Sequence, residues 1–429
     1  MKNLFVPADI LLPKEDALYP AWSVIACDQF TSDPEYWERV RKNVGDSPST
    51  LHLICPECGL ESVDLAQKGK EIGQNMRVYL ADDVFKRLPD AMILVCRSLE
   101  DGQIREGIVG RVDLEAYDYQ KGAKPAVRAT EETVASRLPA RVQMRREAAM
   151  ELPHLLLLAD DREKSLIEQI SARKAELEMI YDFDLMEEGG HISGYLLDDE
   201  AKETFLSKLD DFSSAAAFEA RYGRKNEPVM ALAVGDGNHS LAAAKQYYEE
   251  KKQQYGAESK EAAACRFVLA ELENLHSDAL QFAPIHRVMF GVSPEEMRKE
   301  MALFFAENGL REGASCSGQQ FEMIADGVQT TVTLENPPHL LAVGSLQAFL
   351  DDYLKKHPEA EIDYIHGEEE TVLLSKGSDR VGFLLPNMKK EDLFPTVLAY
   401  GSLPRKTFSM GHAREKRYYL EAAMIVPEE

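Results

Sequence analysis

The chain has 429 residues, 45% hydrophobic and 29% charged, ordinary values for a folded protein and enough length for two or three subdomains. Its 49 Lys and Arg against 74 Asp and Glu leave a formal net charge of −25, which repels nucleic-acid phosphates and anionic membranes over most of the surface. Neither nucleic acid nor membrane is expected as a partner, and a small anion would need a local cluster of donors.

The N-terminal Met1-Lys2-Asn3-Leu4-Phe5-Val6-Pro7 has no apolar h-region, and no apolar run approaches the length of a membrane span. A cytoplasmic protein is expected. The cysteines Cys27, Cys55, Cys58, Cys96, Cys265 and Cys316 are scattered, which suits reduced thiols. Residues 1–130 read as an N-terminal α/β subdomain. Leu51–Ile54 and Ala91–Cys96 predict strands, and Glu100-Asp101-Gly102 turns the chain into Ile104–Val112 as a hairpin. Cys55-Pro56-Glu57-Cys58 has the spacing of half a zinc site, but no second pair completes it, so no structural zinc is expected.

Residues 131–290 read as a central module. Glu131–Met150 predicts an amphipathic helix, with Arg137, Arg141 and Arg145 along one face, read as a solvated stripe, and Val134, Leu138 and Val142 along another. A strand at His154–Ala159, a helix at Arg162–Ile180, a hairpin of Asp182–Met186 with Ile192–Leu197, and helices to Tyr222 follow. This alternation indicates an α/β fold with mixed sheets. Pro228–Val234 is a nearly continuous apolar run, the pattern of a buried strand. Gly235-Asp236-Gly237-Asn238-His239-Ser240 follows it, and an alanine-rich helix is predicted from Asn238 to Glu250. Residues 291–429 read as a C-terminal α/β subdomain with helices at Pro294–Asn308 and Ser345–Lys356, strands at Gln329–Leu334 and Leu340–Val343, and a loop at Gly309–Gln320.

The turn is the strongest chemical signal. A helix start presents N–H groups without internal partners and a partial positive charge, so a strand, turn and helix start in this order suit an anion. Gly235 and Gly237 permit positive φ and close approach of a ligand. Asp236 beside a phosphate is repulsive unless a divalent cation or a proton donor lies between them, which implies Mg2+ or acid–base chemistry. The plain alternative is a tight turn capped by Asn238. No G-x-x-x-x-G-K-[ST] motif occurs, the third glycine of a dinucleotide fingerprint is missing, and neither H-E-x-x-H nor G-x-S-x-G is present. His239 and His286 are candidates for binding phosphate or moving protons near neutral pH. Asp28 and Glu131 are both candidates for the general base, and the residues do not choose between them.

Ala233 to Ala244 resembles the A-D-G-H-H-R-x-x-A-A box of the domain of unknown function 1015 family. Further segments match in the same order: Asp46 to Leu53 with Pro56-Glu57, Glu131-x-Thr133, Pro284-Ile285-His286-Arg287, Asp363 to Gly367, and Leu403 to Phe408. The box is also similar to that of free serine kinases and of the ParB and sulfiredoxin superfamily, where it binds phosphate at a helix start. The resemblance implies a ParB/sulfiredoxin-like module and phosphoryl transfer on a small metabolite by a free-serine-kinase-like enzyme. Serine or phosphoserine is then the leading substrate, with Mg2+, and with ATP, ADP or pyrophosphate as donor.

On that reading Gly235, Gly237, Asn238, Ser240, His286, Arg287, Arg405 and Lys406 bind phosphate. Asp236 holds the metal, and Asp236, His239, Asp28 and Glu131 are the catalytic candidates. Ser240 stands where the superfamily usually has Arg, so Arg287 or the Arg405–Lys406 pair would replace that cation. The alternatives are a phosphoserine phosphatase-like hydrolase and a non-catalytic sensor of a phosphometabolite or nucleotide. A ParB-like DNA binder fits a charge of −25 least. Homodimerisation is left open.

Overall fold

The computed structural model describes residues 3–31, 33–58, 63–135, 138–313, 317–325, 327–404 and 406–427. The chain forms two compact units: Met1–Leu280 with Gly411–Glu429, and Gln281–Met410. Three segments were expected from sequence. The boundary at residue 130 vanishes because strands from both sides of it pair in one sheet, and the end of the chain returns to the first unit.

Among the described residues nine strands make the first unit's main sheet. In chain order they are β1 (Phe5–Val6), β2 (Ile93–Ser98), β3 (Ile104–Asp113), β4 (Val127–Ala129), β5 (Leu156–Ala159), β6 (Glu178–Asp184), β7 (His191–Leu196), β8 (Leu232–Asp236) and β9 (Phe267–Asn274). Across the sheet they run β4-β8-β5-β9-β3-β2-β7-β6, with β1 also on β3. β8 lies parallel to β4 and antiparallel to β5, and β5 is parallel to β9. The mixed α/β class read from the alternation of elements is therefore the class of the molecule. Leu232, Ala233 and Val234 are wholly buried between β4 and β5, as the apolar run predicted. Helices of the same unit include α1 (Leu65–Ala81), α2 (Leu138–Glu147) and α3 (Asn238–Tyr255).

The returning segment is laced onto the first unit by its backbone. Ala26 N donates to Arg417 O at 3.0 Å, Tyr419 N to Val24 O at 2.8 Å, and Leu11 and Ala422 exchange a pair of bonds. The guanidinium of Arg97 donates to the carbonyls of Gly189, Arg414, Glu415 and Lys416, and Arg105 donates to Glu415 O. Arg417 is buried between Glu271, at 2.7 Å, and Glu421, at 2.8 Å. Burial against a second guanidinium pushes Arg97 down to about 9, so these carbonyls are what make its position tolerable.

The second unit has its own sheet of β10 (Phe282–Phe290), β11 (Leu310–Glu312), β12 (Gln319–Ala325), β13 (Val328–Leu334), β14 (Glu361–His366), β15 (Arg380–Leu384) and β16 (Phe408–Met410). Their order is β11-β13-β12-β15-β10-β14, with β16 on β10. Helices α4 (Pro294–Phe304) and α5 (Ala342–Lys356) contribute Met297, Met301, Leu346 and Phe349 to its core.

Five local expectations differ, the first being Gly309–Gln320, read as a loop, where Leu310–Glu312 pairs with Val332–Leu334 as β11 and Gln319 already opens β12. Leu51–Ile54 is not a strand: Thr50–Leu53 is a 3-10 turn started by Ser49, whose hydroxyl takes the Leu51 amide at 3.2 Å. The helix expected over Glu131–Met150 is confined to Leu138–Glu147. Within Arg162–Ile180 only Ile167–Ser171 is α-helical, because Asp161 captures the amides of Ser165 and Leu166 before it and Glu178 already belongs to β6. Leu340–Val343 is not a strand, since α5 begins at Ala342. Among the described residues no helix is long and apolar enough to cross a membrane. Cys27, Cys55, Cys58, Cys96 and Cys265 are free thiols, and Cys316 lies outside the described residues.

Candidate functional site

β8 ends at Asp236, and Gly237 turns the chain into α3 with φ of 84°. The positive φ favours glycine there, and a Cβ at Gly237 would also press on the Leu155 backbone at 3.2 Å. Gly237 is the N-cap, and no side chain caps α3. The helices that start at Asp199, Ala215, Lys260 and Pro294 are each capped by the Asp or Ser before them. Asn238, the cap on the alternative reading of the turn, instead points its amide at Thr130 Oγ1, 3.4 Å away, and its Oδ1 is buried without a hydrogen-bond partner among the described residues. The first-turn amides of α3 are thus not consumed by a side-chain cap.

Asp236 Oδ1 accepts from the Gly237 amide at 2.8 Å, and its Oδ2 lies 3.4 Å from Lys416 Nζ. The carbonyl of Lys416 is one of those gripped by Arg97, so the buried guanidinium sets where this ammonium can reach. His239 has its Nε2 occupied as acceptor of the Val134 amide at 3.2 Å, which ties the segment after β4 to α3. In that segment Thr130 Oγ1 donates to Val234 O at 2.6 Å, and half-buried Glu131 follows directly.

Asp28 is half-buried, 3.9 Å from His154 Nε2, and accepts from Gln29 Nε2 at 3.1 Å. Burial alone would push its carboxyl up, but His154, the Gln29 amide, Arg141 and Lys416 together hold it below the ordinary range. Lys416 therefore serves both carboxylates, Asp28 through space and Asp236 in contact. Tyr419 OH is 3.0 Å from His154 Nδ1 and donates to Cys27 Sγ at 3.1 Å, while the Cys27 amide donates to it at 3.2 Å. Burial pushes the Cys27 thiol up to about 12, so Cys27 is a neutral thiol rather than a nucleophilic thiolate.

The arginine stripe of α2 is not solvated. Arg141 pairs with Glu57, and Arg145 pairs with Glu151 while standing over the Tyr247 ring. Glu151 is nearly buried and already takes the Leu269 amide at 2.7 Å. Its charge draws the cation inward. Arg137 lies outside the described residues.

The cations expected from the second unit are differently placed. Arg287 is 0% exposed, donating through Nε to Gln347 Oε1 at 3.3 Å and through Nη1 to Ile285 O, with its guanidinium 5.1 Å from the centre of the Tyr364 ring. His286 Nδ1 accepts the Leu385 amide at 3.1 Å. Both side chains serve that unit's interior. Lys406 is exposed at φ of 56°, and Arg405 lies outside the described residues.

Sequence reasoning missed Lys416, His154, Tyr419 and the inward turn of Arg141. The regular spacing of Arg141 on its helix was a signal, read toward solvent. Lys416 and Tyr419 had none, since Tyr419 meets His154 across 265 residues of chain.

The chain belongs to the family described as "Protein of unknown function (DUF1015)", whose model matches residues 8–353. Similar solved structures include a mutant free serine kinase in complex with AMP, 11% identical, covering 75% of this chain and 92% of that one at a TM-score of 0.40. A conserved hypothetical protein from Pyrococcus furiosus is 10% identical over 74% and 95% of the two chains, at 0.37. SbnI from Staphylococcus aureus with its C-terminus truncated is 11% identical over 71% and 82%, at 0.38. Among curated proteins none matches the sequence.

Proposed function

We propose that the Gly235–Ser240 turn binds a phosphate group and that the protein transfers a phosphoryl group to or from a small hydroxylated metabolite. The observation that carries this reading is the contact of Lys416 with Asp236 at a helix start that no side chain caps. It supplies what Ser240 lacks, a cation, and it is the proton donor that makes a carboxylate compatible with a neighbouring phosphate.

In this reading the amides at the start of α3 and the Lys416 ammonium hold the phosphate oxygens. Asp28, kept ionised by its cationic neighbours, aligns the acceptor hydroxyl and takes its proton as the hydroxyl oxygen bonds to phosphorus and the donor's P–O bond breaks. His154, fixed by Tyr419, orients Asp28, and His239 keeps Glu131 and its segment against the turn. ATP, ADP or pyrophosphate is the donor to test, and serine or phosphoserine the first substrate.

Mg2+ commonly enters such sites on the donor's phosphates with one or two protein carboxylates. Asp236 fits that role through Oδ2, which faces Lys416 and not a backbone amide. When bound, the ion would neutralise charge on the transferring group. Among the described residues the cluster with three metal-ligating side chains is Glu296, Glu300 and His357 in the second unit, so Asp236 would hold the ion only together with the donor.

The test is turnover of labelled serine with Mg2+ and each donor, and of phosphoserine in reverse, by wild type and Asp236→Asn. We expect turnover by wild type and a loss on the order of a thousandfold in the variant at unchanged thermal stability. Equal rates would remove Asp236 from the mechanism, and tight phosphometabolite binding without turnover would identify a sensor instead.

A further inference from the structure

Cys27, His154, Tyr419 and Ser240 belong to the site, and they also line a cavity of about 200 Å3 within the first unit. Away from these residues and two ion pairs its walls are apolar, with Leu53, Ile54, Ile72, Met76, Met144 and Met150 prominent. The charged residues in the lining are already matched: Arg141 with Glu57, and Arg145 with Glu151. A charged guest would have to displace one of these pairs or be buried without a counter-charge, and both are costly. An uncharged apolar group meets no such penalty. In size, a cavity of about 150 Å3 is known to take up benzene, so about 200 Å3 holds a phenyl ring with a short substituent. The three methionines give the walls a polarizable, adaptable surface suited to such a ring.

We infer that the hydroxylated substrate carries an uncharged apolar body of about phenyl size, which this cavity receives. That the hydroxyl then reaches Asp28 rests on the function proposed above, whereas uptake of the apolar body does not. Serine, with an ammonium, a carboxylate and one hydroxymethyl group, leaves the cavity unfilled, so an alcohol with an apolar body should be the better acceptor of the two.

The experiment is a titration of the full chain, labelled with 13C at the methionine methyls, with benzyl alcohol and separately with serine. Benzyl alcohol should shift the methyls of Met76, Met144 and Met150 in a saturable manner, and serine should not. Filling the cavity by Met144→Trp should weaken benzyl alcohol binding about tenfold or more, and Met76→Leu, which keeps the volume, should preserve it. If Met144→Trp does not fold, Ala140→Leu serves as the filler. Unmoved methyls with benzyl alcohol, or equal shifts with serine, overturn the inference. Saturable benzyl alcohol binding with no phosphoryl transfer to any alcohol would support the cavity and sink the proposed function. Transfer to serine with no benzyl alcohol binding would do the reverse.

Discussion

The turn at Gly235–Ser240 and the strand pair His286–Arg287 each combine a histidine with a polar partner at a buried strand, yet they use these groups in opposite ways. At the turn, the helix start has no side-chain cap, and the outer oxygen of half-buried Asp236 meets a lysine delivered from the end of the chain. In β10 the Leu385 amide occupies the ring of His286, and a glutamine and a carbonyl take up the Arg287 guanidinium with no solvent exposure left. Donors spent inside a core stabilise the fold, and removing one leaves its partners stranded. Donors kept at a half-open surface remain able to meet a ligand.

The comparison predicts its largest effect in the strand. Arg287→Ala empties a fully buried volume and strands Gln347 and the Ile285 carbonyl, so it should cost about 3–5 kcal/mol of stability in chemical denaturation. Arg287→Lys should recover little of this, because an ammonium lacks the planar fork that spans both acceptors. An Arg287→Ala protein of normal stability that no longer binds phosphate would reverse the contrast.

Acid should attack the strand next. Burial, with help from Arg287 and His366, pushes His286 from 6.5 down to about 4. The unfolded chain therefore binds this proton more readily than the folded one. The stability His286 contributes is complete above about 6.5 and is lost as pH falls toward about 4, a change of up to about 3 kcal/mol. Unfolding free energies measured across that window for wild type and His286→Gln should differ in slope, the variant being flatter. Parallel slopes would remove His286 from the acid response.

The smallest effect belongs to the turn and sharpens its side of the contrast. Lys416→Met keeps the apolar stem and removes the charge, so affinity for inorganic phosphate should fall about ten- to a hundredfold while stability changes by less than about 1 kcal/mol. Calorimetric titration with phosphate checks this. Unchanged affinity would show that the ammonium serves the fold alone.

Much of the first unit was legible from local pattern. The apolar run before Gly235, the hairpin into Ile104 and the α3 helix all appear where periodicity and turn residues put them. The readings that failed did so where a side chain outbid the pattern, as Ser49 and Asp161 do by capturing nearby amides. The arginines of α2 were misread for a related reason: helical spacing says which residues share a face, but not whether a buried carboxylate such as Glu151 waits opposite.

The sequence by itself determined the mixed α/β class and a glycine turn between a buried strand and a helix, because these depend on residues within a few turns of one another, and the family, because its motifs recur in order along the chain. Only the tertiary structure decided which charges reach that turn. Lys416 and Tyr419 arrive through the backbone pairing of the returning chain and the grip of Arg97 on its carbonyls, and Arg287 is withdrawn by the packing of its own unit. Such pairings follow from sheet register and burial, which join residues far apart in sequence and leave no local pattern to read.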